Sequence, residues 1–409
     1  MSGIVFIRRQ LVVFGITSLF STVSLGAGFE VPHKSIYGVG LANAVVADVT
    51  GYGATPYNPA LMILYPGFSG SVGALVNRPE NEVRLSATGS SVEGQRDDTF
   101  VAPYLFGSGQ INDYFWAGIA AHAPFGQGTD WPAGTFTASG PLQALTPTET
   151  FARIVTIAPV VAYRLNDNVG FSLGADVYRV TKVELNTTVT QLEGDGDGVG
   201  WQIGAFLRQG LWSFGAHYHS PATLDLEGNS ESPLGKIAIE SGLELPYRFQ
   251  MGLQYQASQK ISAEFDFVRV GWSSYDTLDV TNKSTGALLS RVNNNWRDVN
   301  GLRFGVKYRY SDRFTFTTGY THERTPQADQ YFSPRTPGSN RNAYSLGAEY
   351  RANRNIVINL GYIFVDLNDR QPETTGPQTT ADHNGTDTIA GDYKSSLHAL
   401  GMSFTYQYY

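Results

Sequence analysis

The feature that most constrains this chain is an alternation with a period of two residues. Leu302, Phe304, Val306, Tyr308 and Tyr310 alternate with Arg303, Gly305, Lys307 and Arg309. Tyr344, Leu346, Ala348 and Tyr350 alternate with Ser345, Gly347, Glu349 and Arg351, and Ile261 to Val268 behaves the same way. Successive side chains of a strand point to opposite faces, so each segment has one apolar face and one polar or tiny face. That is the pattern of a strand between two different media. Followed from Gly67 to the end, it predicts fourteen strands, near 68–77, 98–107, 113–123, 149–164, 168–185, 198–208, 211–219, 244–256, 260–276, 300–310, 313–323, 342–351, 355–366 and 396–408.

The connections sort by length. Gaps after even-numbered strands are short: Ser108–Asn112, Leu165–Asp167, Gln209–Gly210, Ala257–Gln259, Ser311–Asp312 and Ala352–Arg354. Gaps after odd-numbered strands are long: 78–97, 124–148, 220–243, 277–299, 324–341 and 367–395, with 186–197 shorter but still a loop. All turns then lie at one end and all loops at the other, as in an up-and-down transmembrane barrel. A soluble β-sandwich has no reason to sort its loops so, and no internal repeat supports a propeller. A sheet in lipid must pair all its backbone groups, so it must close. The fold expected is all-β: a fourteen-stranded antiparallel transmembrane β-barrel. The final strand carries the stripe Leu400, Met402, Phe404, Tyr406 and Tyr408 and ends on aromatic Tyr409, which falls out of phase with it.

Composition agrees. Aromatics reach 13%, glycine is 45 of 409 residues and charged residues are only 16%. Gly, Tyr, Phe and Thr are poor helix formers. The absence of cysteine excludes a disulfide framework and any Cys-based metal or redox site. A net charge of −7 gives no electrostatic basis for nucleic-acid binding. At the N-terminus, Arg8 and Arg9 precede an apolar run from Leu11 to Leu25, and Ser24-Leu25-Gly26 places small residues before a cut at Ala27. The run is shorter than the roughly 20 residues a membrane-spanning helix needs. Residues 1–26 therefore read as a secretory signal, 27–66 as a separate N-terminal unit and 67–409 as the barrel.

Residues 27–66 are rich in small side chains: Gly38, Gly40, Ala42, Ala44, Ala47, Gly51, Gly53 and Ala54. A short helix is expected at Gly40 to Ala47 and a second at Pro59 to Leu64, where Pro59 suits a first helical position. About forty residues are too few to fold unsupported. A fourteen-stranded lumen is too wide for wall side chains alone to fill. The segment is therefore expected inside the barrel as a plug, its small residues allowing close approach to the wall. Asn58 would supply amide donors and acceptors there.

In these terms the chain resembles the FadL-type long-chain fatty acid transporters, a family that includes aromatic-hydrocarbon channels. The resemblance runs along the whole mature chain. It rests on Ala27-Gly28-Phe29, Asn58-Pro59-Ala60, "APFGQGTDW" at 123–131, "LPYRFQMGLQYQ" at 245–256, "VGWSSYDTLDV" at 270–280 and "NWRDVNGLRFGVKYRYSDRFTFTTGYTHERTP" at 295–326. It implies an outer-membrane channel of a Gram-negative bacterium, with no enzymatic activity and no cofactor. Substrate would be a long-chain fatty acid or similar hydrophobic molecule, or alternatively an aromatic or alkane hydrocarbon. It would pass through an apolar pocket gated by an N-terminal hatch and leave sideways into outer-membrane lipid at a kink in the third strand. Phe29, Asn58, Pro59 and Ala60 match the hatch and pocket positions, and Pro124, Phe125 and Gly126 align with the kink. Proline removes a ladder donor and glycine weakens a strand, so 123–128 is suited to a kink on physical grounds too. The alternative is the mere start of a long loop. A monomer is expected.

Inward-facing Arg303, Lys307 and Arg309 are candidates for holding a carboxylate; pairing with Glu264, Asp266 or Glu349 is the plainer reading. "EGDGDG" at 193–198 lacks the ligand set of a calcium loop and reads as a flexible acidic loop tip. His217 and His219 share a strand face with no third metal ligand in view. Asp195, His219 and Ser220 lack a nucleophile-elbow motif. No catalytic and no metal site is predicted. A barrel enzyme such as a phospholipase would need a Ser or Asp/His site at one rim, and a general porin would lack the N-terminal plug.

Overall fold

The computed structural model describes residues 28–86, 88–94, 99–136, 149–187, 189–372 and 389–408. The signal reading of 1–26 and the terminal Tyr409 lie outside them. One sheet contains every described strand, and fourteen of these strands form a closed antiparallel barrel. They are Phe68–Leu85, Phe100–Gln110, Phe115–Asp130, Glu149–Asn166, Val169–Asn186, Gln191–Gln209, Trp212–His219, Arg248–Gln256, Ile261–Val270, Val299–Arg309, Phe314–Glu323, Arg341–Arg351, Ile356–Arg370 and Gly391–Tyr408. The first strand pairs with the last, Phe68 opposite Tyr408 and Leu85 opposite Gly391, which closes the wall.

The expected alternation is present, and it is inverted relative to a soluble protein. Leu302 and Phe304 are 46% and 47% exposed, while Arg303 between them is 1% exposed. Phe265, Leu346, Leu400, Met402 and Phe404 are likewise exposed. Apolar side chains face outward where lipid lies, and charged and tiny ones face the lumen.

Strand extents depart from the sequence expectation on the loop side. The strand at 68–77 continues to Leu85, and the one expected at 198–208 begins at Gln191. The segment at 193–198 is therefore not a flexible loop tip. Its Asp195 and Asp197 sit on the strand and pair with Arg179 at 2.5 and 3.3 Å. The long gap 220–243 is mostly a hairpin, Ala222–Ser232 with Gly235–Leu245, and 277–299 holds a second, Thr277–Asn282 with Leu288–Asn293. These strands stand beyond the barrel and continue its ladders: Ala222–Ser232 pairs with Gln191–Gln209 from Asp197↔Asp225 to Gln191↔Glu231. Pro221 and Pro246 mark the breaks between barrel and hairpin.

The N-terminal segment fills the lumen. Ile36, Val39, Ala44 to Ala47, Ala54, Asn58 and Ala60 to Ile63 are all buried. Bonds run from it to the wall on every side: Tyr52 Oη donates to Ser69 O at 2.7 Å, Arg164 Nη2 to Ile63 O at 2.6 Å, Asn58 Nδ2 to Ala205 O at 2.9 Å, and Thr321 Oγ1 to Ala42 O at 2.7 Å. A wall glycine makes room for it: a Cβ at Gly215 would overlap the Val46 carbonyl. The helix expected at Gly40–Ala47 is not there. Ile36–Val39 forms one turn, and Ala42 and Asn43 then adopt φ of 49° and 63°, a left-handed turn that no helix can contain. Pro59–Leu64 is a 3-10 helix, with Pro59 in its first turn and Asn58 as its cap.

Candidate functional site

Two regions of the lumen differ in chemistry. The outer half holds an apolar cavity of about 110 Å³, lined by Phe29, Phe151, Leu185, Leu192, Leu226, Ile239, Leu243, Tyr275, Leu278 and Val280, with Arg335 among its lining. Phe29 forms its inner end. Its ring packs against Trp272, Tyr275, Phe125 and Trp296, with centroids 4.7, 5.4, 5.9 and 6.0 Å away. The two nearest approaches, from Trp272 and Tyr275, are edge-on, as the ring quadrupoles favour. The barrel walls contribute Ile154, Tyr178, Val180 and Val268, the first hairpin Leu224 and Leu245, and the second hairpin Leu278.

Beside Phe29 the wall itself changes. The second and third strands pair only from Leu105↔Ala121 to Gln110↔Trp116. Both strands go on outward, Phe100–Tyr104 pairing with the first strand and Phe125–Asp130 with the fourth, but not with each other. The third strand also skips two residues against the fourth, between His122 and Phe125, leaving Ala123 and Pro124 out of register. Pro103 and Pro124 each lack the N–H that a ladder bond needs. The segment 123–128 is thus inside a strand and not the start of a loop. The N-terminal segment patches the seam: Val31 N donates to Pro124 O at 2.8 Å and Gly126 N to Phe29 O at 3.0 Å, with Glu30 bridged to Phe125. A narrow crevice lies behind the patch, between Val31, His33, Ile36 and the wall residues Ala102, Pro103, Tyr104, His122 and Ala123.

The other half of the lumen is polar. Asp48 accepts from Lys307 Nζ at 2.7 Å and from Tyr37 Oη at 2.5 Å. Burial alone would lift the Asp48 carboxyl, but the Lys307 ammonium beside it holds it below the usual carboxylate range. Asp266 accepts Val45 N at 3.0 Å and Glu264 accepts Ala47 N at 2.7 Å, so two wall carboxylates hold the backbone of one turn. Asn58, fully buried, donates to Val46 O and Ala205 O, both at 2.9 Å, and accepts from Ala60 N at 3.2 Å. Pro59 keeps it extended, at φ −145° and ψ 95°.

The family model described as outer membrane protein transport protein (OMPP1/FadL/TodX) matches residues 17–408. The chain belongs to that family. It is an outer-membrane β-barrel transporter of hydrophobic compounds and not an enzyme. It is 24% identical over 410 residues to the long-chain fatty acid transport protein of Escherichia coli (strain K12), covering 85% of this chain and 90% of that one. It is 22% identical over 455 residues to outer membrane protein P1 of Haemophilus influenzae, covering 93% and 95%. Among solved structures, a Pseudomonas aeruginosa FadL homologue matches at TM-score 0.78 and 17% identity, over 93% of this chain and all of that one. The Ralstonia pickettii toluene transporter TbuX matches at TM-score 0.66 and 17% identity, over 90% and 98%. Those two likenesses concern the fold.

Against that family background, the carboxylate candidates are placed as follows. Arg303 donates to Glu323 at 2.7 Å and to Asn43 O at 3.3 Å; Arg341 pairs with the same Glu323. Lys307 is tied to Asp48. Neither meets the partner anticipated in Glu264, Asp266 or Glu349. Only Arg309 is exposed, at the turn end of its strand, beside a polar cavity with Lys260 and Arg313. His219 Nδ1 meets Asp176 at 2.6 Å and its Nε2 meets Lys34 Nζ at 2.8 Å, while Asp195 is on Arg179 and Ser220 Oγ accepts from Trp201 N. The Asp195–His219–Ser220 grouping therefore does not assemble. Among the described residues no cluster suits a metal ion.

Sequence reasoning missed the box around Phe29 and the polar contacts that the three charged-type residues of the N-terminal segment make with the wall: two ion pairs and one hydrogen bond. The signal for the second was present. Glu30, Lys34 and Asp48 are the only Asp, Glu, Lys or Arg residues in 28–66. Each meets a wall residue: Arg248, His219 and Lys307 respectively.

Proposed function

We propose that this transporter carries long-chain fatty acids or similar hydrophobic molecules, by passive movement through the outer apolar pocket and then sideways out of the wall. Residues 27–66 act as the hatch. Phe29 closes the inner end of the pocket, Asn58 with Pro59 and Ala60 anchors the hatch, and the seam at Pro124, Phe125 and Gly126 is the exit into outer-membrane lipid. The observation that carries this reading is the seam. The ladder between the second and third strands stops at Leu105↔Ala121, and the only backbone bonds found at the kink from the inner side come from Phe29 and Val31 of the hatch, among the described residues. Moving the tip of the hatch would therefore both empty the pocket's inner end and unpatch the wall. The relatives named for fatty acids support an acyl substrate; the fold shared with a toluene transporter keeps a hydrocarbon as the second reading.

The chain has no cysteine, so a clamp can be built without background. Glu30 and Phe125 face each other across an antiparallel bridge, within the usual Cα span of a disulfide. The Glu30→Cys/Phe125→Cys double variant should stop uptake of labelled oleate and of labelled toluene by whole cells when oxidised, and regain it on reduction. Each single variant should transport. Uptake that is unchanged in the oxidised double variant would remove both the tip movement and the exit at this seam.

A further inference from the structure

The turn end of the lumen holds a polar cavity of about 180 Å³ that the transport route proposed above does not use. Five cations line it, Lys260, Lys307, Arg309, Arg313 and Arg351, against two carboxylates, Asp312 and Glu349. Two of the cations are already neutralised, Lys307 by Asp48 at 2.7 Å and Arg351 by Glu349 at 3.5 Å. Lys260, Arg309 and Arg313 form no ion pair with any described residue. Asp312, in the turn between Arg309 and Arg313, is the one carboxylate left to offset them. The cavity thus keeps an excess of two positive charges in a chain whose net charge is −7.

The backbone sets like charges side by side there. Arg309 N donates to Lys260 O at 2.7 Å and Arg351 N to Arg313 O at 2.8 Å, which carries the pairings Ile261↔Tyr308 and Phe314↔Tyr350 one residue further. Lys260 therefore stands opposite Arg309, and Arg313 opposite Arg351. The alternation that turns Ser262, Lys307, Thr317 and Ser345 into the lumen turns these four inward as well, and all four line the same cavity. Like charges directly opposite on a sheet are destabilising. Closing a barrel does not call for two such pairs across four consecutive strands, since threonine or glutamine would serve a solvated rim without the repulsion. A bound anion removes it, and Ser262, Thr315 and Gln259 add neutral donors on the same lining.

We propose that this cavity binds a doubly negative phosphate ligand, held between Lys260, Arg309 and Arg313 at the turn-side mouth of the barrel. The excess of two positive charges matches such a ligand, whereas a single carboxylate would leave one cation uncompensated. The guanidinium forks of Arg309 and Arg313 suit two-point contact with phosphate oxygens, and Lys260 adds a point charge. Two sources share this chemistry: a small soluble phosphate, and a phospholipid headgroup such as that of cardiolipin reaching over the rim. The site lies at the other end of the lumen from the apolar cavity around Phe29, so it stands or falls independently of the transport reading.

The test uses the full chain in phosphatidylcholine nanodiscs, with calorimetry at constant ionic strength. Inorganic phosphate and methyl phosphate are the probes, and acetate is the monoanion control. Both phosphates should bind about tenfold or more tightly than acetate. Arg309→Gln and Arg313→Gln should each weaken phosphate about tenfold to hundredfold, and Asp312→Asn, which removes the resident anion, should strengthen it. A repeat in nanodiscs containing cardiolipin separates the sources: an unchanged phosphate affinity assigns the site to soluble phosphate, and an affinity lost to competition assigns it to the headgroup. If a variant does not fold, acetylation of wild-type Lys260, read by mass spectrometry, decides: phosphate should slow it several-fold and leave Lys236 on the outer hairpin unaffected. Equal affinity for phosphate and acetate, a phosphate affinity indifferent to both arginine variants, or Lys260 acetylation that phosphate does not slow would overturn the proposal.

Discussion

The two ends of the N-terminal segment are held by different forces. Around Asp48 and Asn58 the ties are polar and directional: an ammonium on a buried carboxylate, two wall carboxylates on the Val45–Ala47 backbone, and an amide making three bonds. Around Phe29 itself the ties are ring contacts and two backbone bonds to a strand that is itself out of register, and the one charged tie close by is Glu30 on Arg248. Ring contacts lose little when another apolar ring takes their place, whereas a buried polar bond has no such substitute. A plug built this way can stay in the barrel while its tip exchanges with ligand.

That contrast is broken most severely at Lys307. Lys307→Met leaves Asp48 buried without its cation, a change worth about 3–5 kcal/mol. Hydrogen exchange at Val45–Thr50 should rise sharply, while the barrel, held by its closed ladder, keeps its heat resistance in detergent. Exchange that stays slow would mean that Tyr37 and the Thr50 hydroxyl hold Asp48 without Lys307.

Asn58→Ala comes next. It deletes bonds to Val46 O and Ala205 O and uncaps Ala60 N, and should loosen the same region by about 2–3 kcal/mol. Hydrophobic uptake should change with it. Normal exchange and normal uptake together would reduce the Asn58-Pro59-Ala60 triplet to a turn.

Phe29→Ala is expected to act at the other end. Its loss of about 1.5–3 kcal/mol of ring burial should appear as faster exchange at Val31 and Gly126 and as altered ligand affinity, with Val45–Thr50 unaffected. Loosening that spreads to Asp48 would show that the segment responds as one body, and the distinction between anchor and tip would fail.

How much of this could be read beforehand follows from the same physics. Inside the membrane a strand faces lipid on one side and a polar lumen on the other, so Leu302, Phe304 and Tyr308 announce themselves against Arg303, Gly305 and Lys307. Beyond the membrane both faces meet water, the contrast fades, and Ala222–Ser232 reads as loop in the sequence although Leu224 and Leu226 alternate within it. In the site, Asn58 and Phe29 were legible through short motifs. The partners were not: Asp48 meets Lys307 259 residues away, and the Phe29 box joins Phe125 to Trp272 and Trp296 across the barrel. Alternation tells which way a side chain points and nothing about what comes to meet it. It placed Arg303 and Lys307 in the lumen, but the plug and Glu323 decided their use.

The smallest effect expected is a pH dependence between anchor and tip. Lys34 lies midway, its Nζ 2.8 Å from His219 Nε2, with Asp176 and Glu30 as nearby anions and Arg248 and Arg303 as nearby cations. Burial, with Arg248 adding to it, lowers its ammonium to about 7 from 10.5. Between those two values the unfolded or detached segment binds a proton that the docked segment does not. Docking therefore gains stability as pH rises from about 7 toward 10.5, and the full penalty of a buried ammonium is present below 7. The slope cannot exceed about 1.4 kcal/mol per pH unit for one proton. Exchange at Val31 and Ile36, corrected for its intrinsic pH dependence, should slow as pH is raised from 7 to 9. Lys34→Met should flatten that slope and leave Val45–Thr50 as it was. A slope that survives in Lys34→Met would assign the titration to another group and leave the Asp48–Lys307 and Glu30–Arg248 pairs, not Lys34, as the electrostatic hold on the segment.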